Sequence, residues 1–167
     1  MSYADAVTRE AAWFTATVAG LPDLGIPTGP LDLVVAYPRR ISQRARQLWL
    51  YRATATDERL GLSGERMWKH AMVAYIVWGR NLPSSEAHVD AVNLDAAIDN
   101  VLTRIRGGAV GTVGDPSHGG RWLDQVGPVR VEYLNPLTPA APVDAAGSAG
   151  NAFETRISYV VTEAFVG

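Results

Sequence analysis

Tyr3, Val7, Ala11, Phe14 and Val18 recur at spacings of three and four, which on a helix gathers them into one apolar stripe. The pattern predicts a helix over 3–19, with Ser2 as its cap and Gly20 at its end. A loop rich in Gly and Pro follows, "GLPDLGIPTGP". "LDLVVAYP" (31–38) is short, apolar and β-branched, and Pro38 stops it, so it reads as a strand. "RQLWLYRATAT" (46–56) alternates around aromatics and threonines as a second strand. In "MWKHAMVAYIVWG" (67–79) one face carries Trp68, His70, Met72, Ala74, Ile76 and Trp78. Lys69, Ala71, Val73, Tyr75 and Val77 make the other face. Both are largely apolar, which predicts a central strand covered on both sides.

The stretch "LPSSEAHVDAVNLDAAIDNVLTRIRGG" changes period from two to 3.6. Ser84 or Ser85 caps a second helix and Glu86 lies near its positive end. Leu94, Ala97, Ile98, Val101, Leu102 and Ile105 form its buried stripe, and Gly107-Gly108 ends it after Arg104 and Arg106. "PVRVEYLNP" (128–136) alternates as a strand between two prolines. "FETRISYVVTEAFV" (153–166) is a long half-buried strand with Phe153, Ile157, Tyr159, Val161 and Phe165 inward. Flexible loops are expected near 107–127 and over the Ala/Pro/Gly-rich 137–151. The order of elements predicts one α+β domain spanning 1–167, a mostly antiparallel sheet with two helices on one face.

Composition narrows the chemistry. Hydrophobic residues make up 47% and charged ones 19% of 167 residues, as in an ordinary folded domain. The net charge of -2 gives no global pull toward nucleic acid or an anionic membrane. With no cysteine, disulfides, thiolate metal sites and Cys nucleophiles are excluded. His70, His88 and His118 lack metal-ligand spacing, and no cofactor motif is present, so neither metal nor cofactor is expected. The N-terminus has no signal pattern, and no apolar run approaches the roughly 18 residues of a membrane span. The expectation is an intracellular, soluble protein without a membrane partner.

The densest polar cluster is "GDPSHGGRW" (114–122). A hydrolase reading would take His118 as base, Ser117 as nucleophile and Asp115 or Asp124 as the orienting acid. Adjacent Ser and His rarely face each other productively, and no G-x-S-x-G elbow follows a strand. Gly114, Pro116, Gly119 and Gly120 instead make a turn-former, and the loop also lacks the Lys-Ser/Thr of a phosphate loop. The favoured reading is a joint available for docking through Asp115, His118 and Arg121, not an enzyme site. Tyr37, Trp49 and Tyr51 are further candidate anchors at a contact.

Between Arg39 and Arg80, nine basic residues face only Asp57, Glu58 and Glu65. Arg39, Arg40, Arg44 and Arg46 lead this surplus, and Asp90, Asp95 and Asp99 on the second helix form an opposite patch. Pairing between subunits is favoured over contact with DNA phosphates, because no DNA-binding motif accompanies the arginines.

The layout resembles the tail terminator (tail-completion or minor tail) proteins of long-tailed bacteriophages. The resemblance rests on "YADAVTREAAWFTATV", "RQLWLYRATAT", "MWKHAMVAYIVWG", "DAVNLDAAIDNVLTRI", "VRVEYLNP" and "FETRISYVVTEAF", in that order. It implies a homo-oligomeric ring, usually a hexamer, capping the head-proximal end of the tail tube, ending its polymerisation and joining tail to head. The implied partners are the major tail tube protein and head-completion or connector proteins, with DNA passing through the ring. The implied location is the virion, after assembly in the host cytoplasm. Head-tail connector or stopper proteins of the phage neck are the alternative, and a small enzyme using His118 is a more distant one. The segments "GAVGTVGDPSHGGRW" and "LTPAAPVDAAGSAGN" exceed a minimal member of the resembled family.

Overall fold

A computed structural model describes residues 5–37, 46–60, 65–79, 87–109, 111–134 and 152–166. Arg39, Arg40 and Arg44, and the segment 137–151, lie outside the described residues. The elements in chain order are α1 (Ala6–Thr15), β1 (Leu33–Ala36), β2 (Arg46–Leu60), β3 (Glu65–Gly79), α2 (Ala87–Arg106), β4 (Asp124–Tyr133) and β5 (Ala152–Val166). The fold is α+β, as the alternating and helical periods predict.

The five strands form one sheet in the order β1-β2-β3-β5-β4. β3 is central and pairs antiparallel with both β2 and β5, along nearly its whole length. β4 closes one edge antiparallel to β5, while β1 closes the other edge parallel to β2. An extra residue in β2 between Arg52 and Thr54 shifts its register against β3. The pairing of β4 with β5 is likewise broken between Val126 and Arg130, where Gly127 and Pro128 sit. Proline has no N–H for a ladder, and an edge strand tolerates that loss.

Both helices pack on one sheet face. Val7, Ala11 and Phe14 of α1 and Leu94, Ala97, Ile98, Val101 and Ile105 of α2 join a single cluster with Leu48, Leu50, Met72, Ala74, Ile76, Trp78, Ile157 and Tyr159. Burial of this apolar surface is the main favourable contribution to the fold.

α1 ends at Thr15, four residues before the predicted end at 19, and the predicted start at 3 lies outside the described residues. Ala16 is extended at ψ 141°, and the Thr15 hydroxyl bonds back to the Ala11 carbonyl at 3.0 Å. The carbonyls freed at this end are met by Arg104 of α2, whose guanidinium donates to Trp13 O (3.3 Å), Ala16 O and, through Nε, Pro22 O (2.8 Å). A fully buried arginine therefore serves as the C-terminal cap of a different helix.

The second face of β3 corrects the expectation of cover on both sides. Val73 is buried there but stands outside the core cluster, and Lys69, Ala71, Tyr75 and Val77 remain half-exposed. Trp49 and Tyr75, neighbours across the β2–β3 pair, stack with centroids 5.6 Å apart and shield the strand from the side. Large side chains on adjacent strands supply the cover that a second layer would have given.

Ile76 is fully buried at the centre of the sheet. Ile76→Ala is expected to lower stability by about 2–5 kcal/mol, read as a lower urea midpoint at unchanged slope.

Candidate functional site

Glu10 falls on the apolar stripe of α1, three residues after Val7 and four before Phe14, so the helix carries its carboxylate into the interior. It is fully buried. Three donors meet it. Tyr159 of β5 donates to Oε1 at 2.6 Å, and Trp122 Nε1 donates to Oε2 at 2.7 Å. His118 Nδ1 lies 3.0 Å from Oε2. The other ring nitrogen of His118 lies 2.8 Å from the Ile105 carbonyl of α2. A carbonyl and a carboxylate only accept, so the two contacts are both hydrogen bonds when both imidazole nitrogens carry protons. The ring is stacked on Trp13 with centroids 5.2 Å apart and is fully buried, and the imidazolium is the form that meets both acceptors.

Burial by itself would push the His118 pKa down. The Glu10 hydrogen bond and charge, the Ile105 carbonyl and Asp115 together outweigh it and hold the pKa above the ordinary histidine value. The same carboxylate and complete burial hold the Tyr159 hydroxyl well above its usual range, burial being the larger cause.

A second buried histidine takes the opposite state. His70 Nε2 lies 2.8 Å from Glu163 Oε1, and Arg52 Nη1 donates to His70 Nδ1 at 3.3 Å. A nitrogen that accepts from a guanidinium holds no proton, so His70 is neutral and donates through Nε2. Burial lowers its pKa, and the Glu163 contacts only partly oppose that. Arg52 stands opposite Met72, at the end of the unbroken register that runs from Arg46, and lies beside His70. Glu163 also accepts from Arg9, whose guanidinium lies 4.6 Å from the centre of the Trp122 ring. Arg9 and Glu10 are adjacent on α1, so both histidine sites are joined through one helical turn and one indole.

The loop carrying His118 is built inward. Asp115 accepts from the Ser117 amide (3.0 Å) and hydroxyl and from the Gly119 amide (2.7 Å). The Ser117 hydroxyl bond, with these amides, lowers the Asp115 pKa against a smaller opposing effect of burial. His118 is left-handed at φ 51°, and Gly119 and Gly120 continue that conformation at 74° and 78°. Gly107, at φ 67°, is required because a Cβ there would strike the Asp115 backbone. Arg121 donates to the His118 carbonyl at 2.7 Å.

His118 was expected at an exposed docking joint, and its burial corrects that. The turn geometry was legible, but the pull of Glu10 on the imidazole was not. Asp115 and Arg121 are half-exposed but held by the loop itself. Ser117 and His118 have separate partners and do not face each other as nucleophile and base. Asp90, expected in the acidic patch opposite the arginines, is buried because it lies one turn before Leu94 on the same stripe. Asp95 and Asp99 are exposed, and Tyr133 donates to Asp95 at 2.9 Å. Arg46 is paired with Asp32 at 3.3 Å within the subunit. Tyr37 is 47% exposed, whereas Trp49 and Tyr51 are half-buried on the second sheet face.

Glu10, Arg9, Arg104 and Glu163 were missed as organising residues. The signal was a charged residue on an apolar stripe: Glu10 between Val7 and Phe14, and Glu163 in register with Ile157, Tyr159 and Val161. Among the described residues no group of three or more His, Asp or Glu is arranged to hold a metal ion. No helix among them is long and apolar enough to cross a membrane.

The two histidines set opposite limits on stability. His118 has a raised folded pKa, so its contribution is complete below the unfolded value of about 6.5 and is lost as pH rises through the folded value. His70 has a lowered one, so its contribution is complete above about 6.5 and is lost as pH falls toward the folded value. Urea midpoints from pH 5 to 9 should therefore peak near neutrality, with the alkaline fall absent in His118→Gln. A midpoint still rising across the alkaline range would contradict the assignment. No protein-family model matches this chain, and no curated protein matches it.

Proposed function

We propose that this chain is a structural subunit that closes into a ring at the head-proximal end of a phage tail tube. In that role it ends tail growth and offers the surface to which the head is joined, with DNA passing through the opening. The observation that carries the reading is the second sheet face. Trp49, Tyr51, Tyr75 and Val77 lie there half-exposed, on the side away from both helices. Aromatic residues gathered at the centre of a surface are typical of contacts between proteins. The outer side of α2 is a different surface, with Val92 65% exposed beside the acids Asp95 and Asp99.

A closed head-to-tail ring needs two unlike surfaces on each subunit, and these two meet that requirement. The buried charges support the same reading. Glu10, His118 and Tyr159 use one another as partners, which suits holding a shape and leaves no solvent-facing acid or base in the cluster. The resemblance in layout to tail terminator proteins sets the expected ring as a hexamer and the expected neighbours as the tail tube and head-completion proteins.

Blocking one surface at a time tests the proposal. Tyr51→Glu and Val92→Glu should each leave the circular dichroism unchanged and each abolish rings in sedimentation velocity. Mixed together, the two variants retain one intact pair of surfaces and should form a dimer that goes no further. Wild-type protein that stays monomeric at high concentration, with and without tail tubes, would overturn the reading. Undisturbed rings from both variants would overturn the choice of surfaces.

A further inference from the structure

A groove of about 660 Å³ runs between the C-terminal end of α1 and the loop joining α2 to β4. Trp13, Val18 and Leu21 line one side, and Gly107, Val113 and Arg121 line the other. The α1 side is fixed by the Arg104 cap and by the Trp13 indole, which donates to the Arg104 carbonyl at 3.0 Å. The loop side is anchored to the body of the protein through His118, by its two bonds to Glu10 and Ile105.

We propose that the Glu10–His118 pair is a proton-operated latch, which holds the α2–β4 loop against the body of the protein and releases it when the imidazolium loses its proton.

The geometry makes the two states unequal. With the proton in place, Nδ1 and Nε2 each face an acceptor, at 3.0 and 2.8 Å. A neutral imidazole has one N–H. If it keeps the bond to Ile105, a bare lone pair faces the Glu10 carboxylate; if it keeps Glu10, the lone pair faces the Ile105 carbonyl. Either arrangement sets two acceptors against each other in a site closed to water, where an unmet polar group is costly. The Trp13 ring stacked on the imidazole leaves little freedom to turn away. The described residues of 107–123 are turns and bends, so an opening there breaks no helix or strand.

The charged groups around the imidazole come from every element packed on it. Glu10 faces it from α1, with Arg9 one residue before. Arg104 approaches from α2 beneath Trp13, and Tyr159 of β5 shares the Glu10 carboxylate. Asp115 and Arg121 flank it within the loop, and Glu163 reaches the neighbourhood through Arg9 and Trp122. Among the described residues Glu10 is the acid in direct contact, and the Asp115 charge adds to its effect.

The test follows the side-chain nitrogens of His118 by NMR from pH 6 to 10, together with amide exchange in 107–122 corrected for its intrinsic pH dependence. At pH 6 both ring nitrogens should carry protons. As one proton leaves at higher pH, protection of the His118, Arg121 and Trp122 amides should fall by about tenfold relative to β3, as a local opening would. In His118→Gln that pH dependence should vanish. A His118 with one protonated nitrogen at pH 6, one that keeps both protons up to pH 10, or one that titrates with unchanged loop protection would each overturn the latch. Should His118→Gln fail to fold, the wild-type titration and exchange decide by themselves.

Discussion

A carboxylate taken out of water is costly unless each of its oxygens is met by a donor, and Glu10 imposes that demand at the centre of this molecule. Its three partners come from two places: Tyr159 on β5, and Trp122 and His118 on the loop after α2. The bond from His118 to the Ile105 carbonyl brings in α2. One side chain on a ten-residue helix thus fixes where β5, the second helix and the loop after it must sit. The imidazolium is part of this condition, because a neutral ring could not serve both acceptors.

The consequence for the sheet is a division of labour between its faces. The helix-covered face holds the apolar core and, at one end of it, both histidine sites and their counter-charges. Arg104 adds a further buried charge on that side, with Asp23 as a neighbour at 3.6 Å. Such groups make a packing arrangement specific, since a shifted helix would leave a charge unmet. The other face carries paired aromatics and half-exposed aliphatic side chains, with no helix over them among the described residues.

Periodicity made the architecture legible. The α2 stripe from Leu94 to Ile105 enters the core as read, and β2, β3 and β5 fall where alternation placed them. The parallel pairing of β1 and the order of strands were not legible, because pairing depends on contacts between distant residues. The α1 end was misplaced because its stop is supplied by Arg104, far along the chain, and not by Gly20. The site was legible only in fragments. "GDPSHGGRW" announced a turn rich in polar groups, and the turn is there. What decided the fate of His118 was Glu10, 108 residues away in sequence, whose place on an apolar stripe was the clue. Asp90 was likewise read by its charge when its position one turn before Leu94 dictated burial.

The most direct test of the Glu10–His118 ion pair as the organising interaction is a double-mutant cycle in urea at pH 6, using Glu10→Gln, His118→Gln and the double variant. A buried pair that shares a proton should couple by about 2–3 kcal/mol, with each single replacement costing nearly as much as both together. Losses that simply add, to within about 0.5 kcal/mol, would show that the two side chains act independently and would contradict the account.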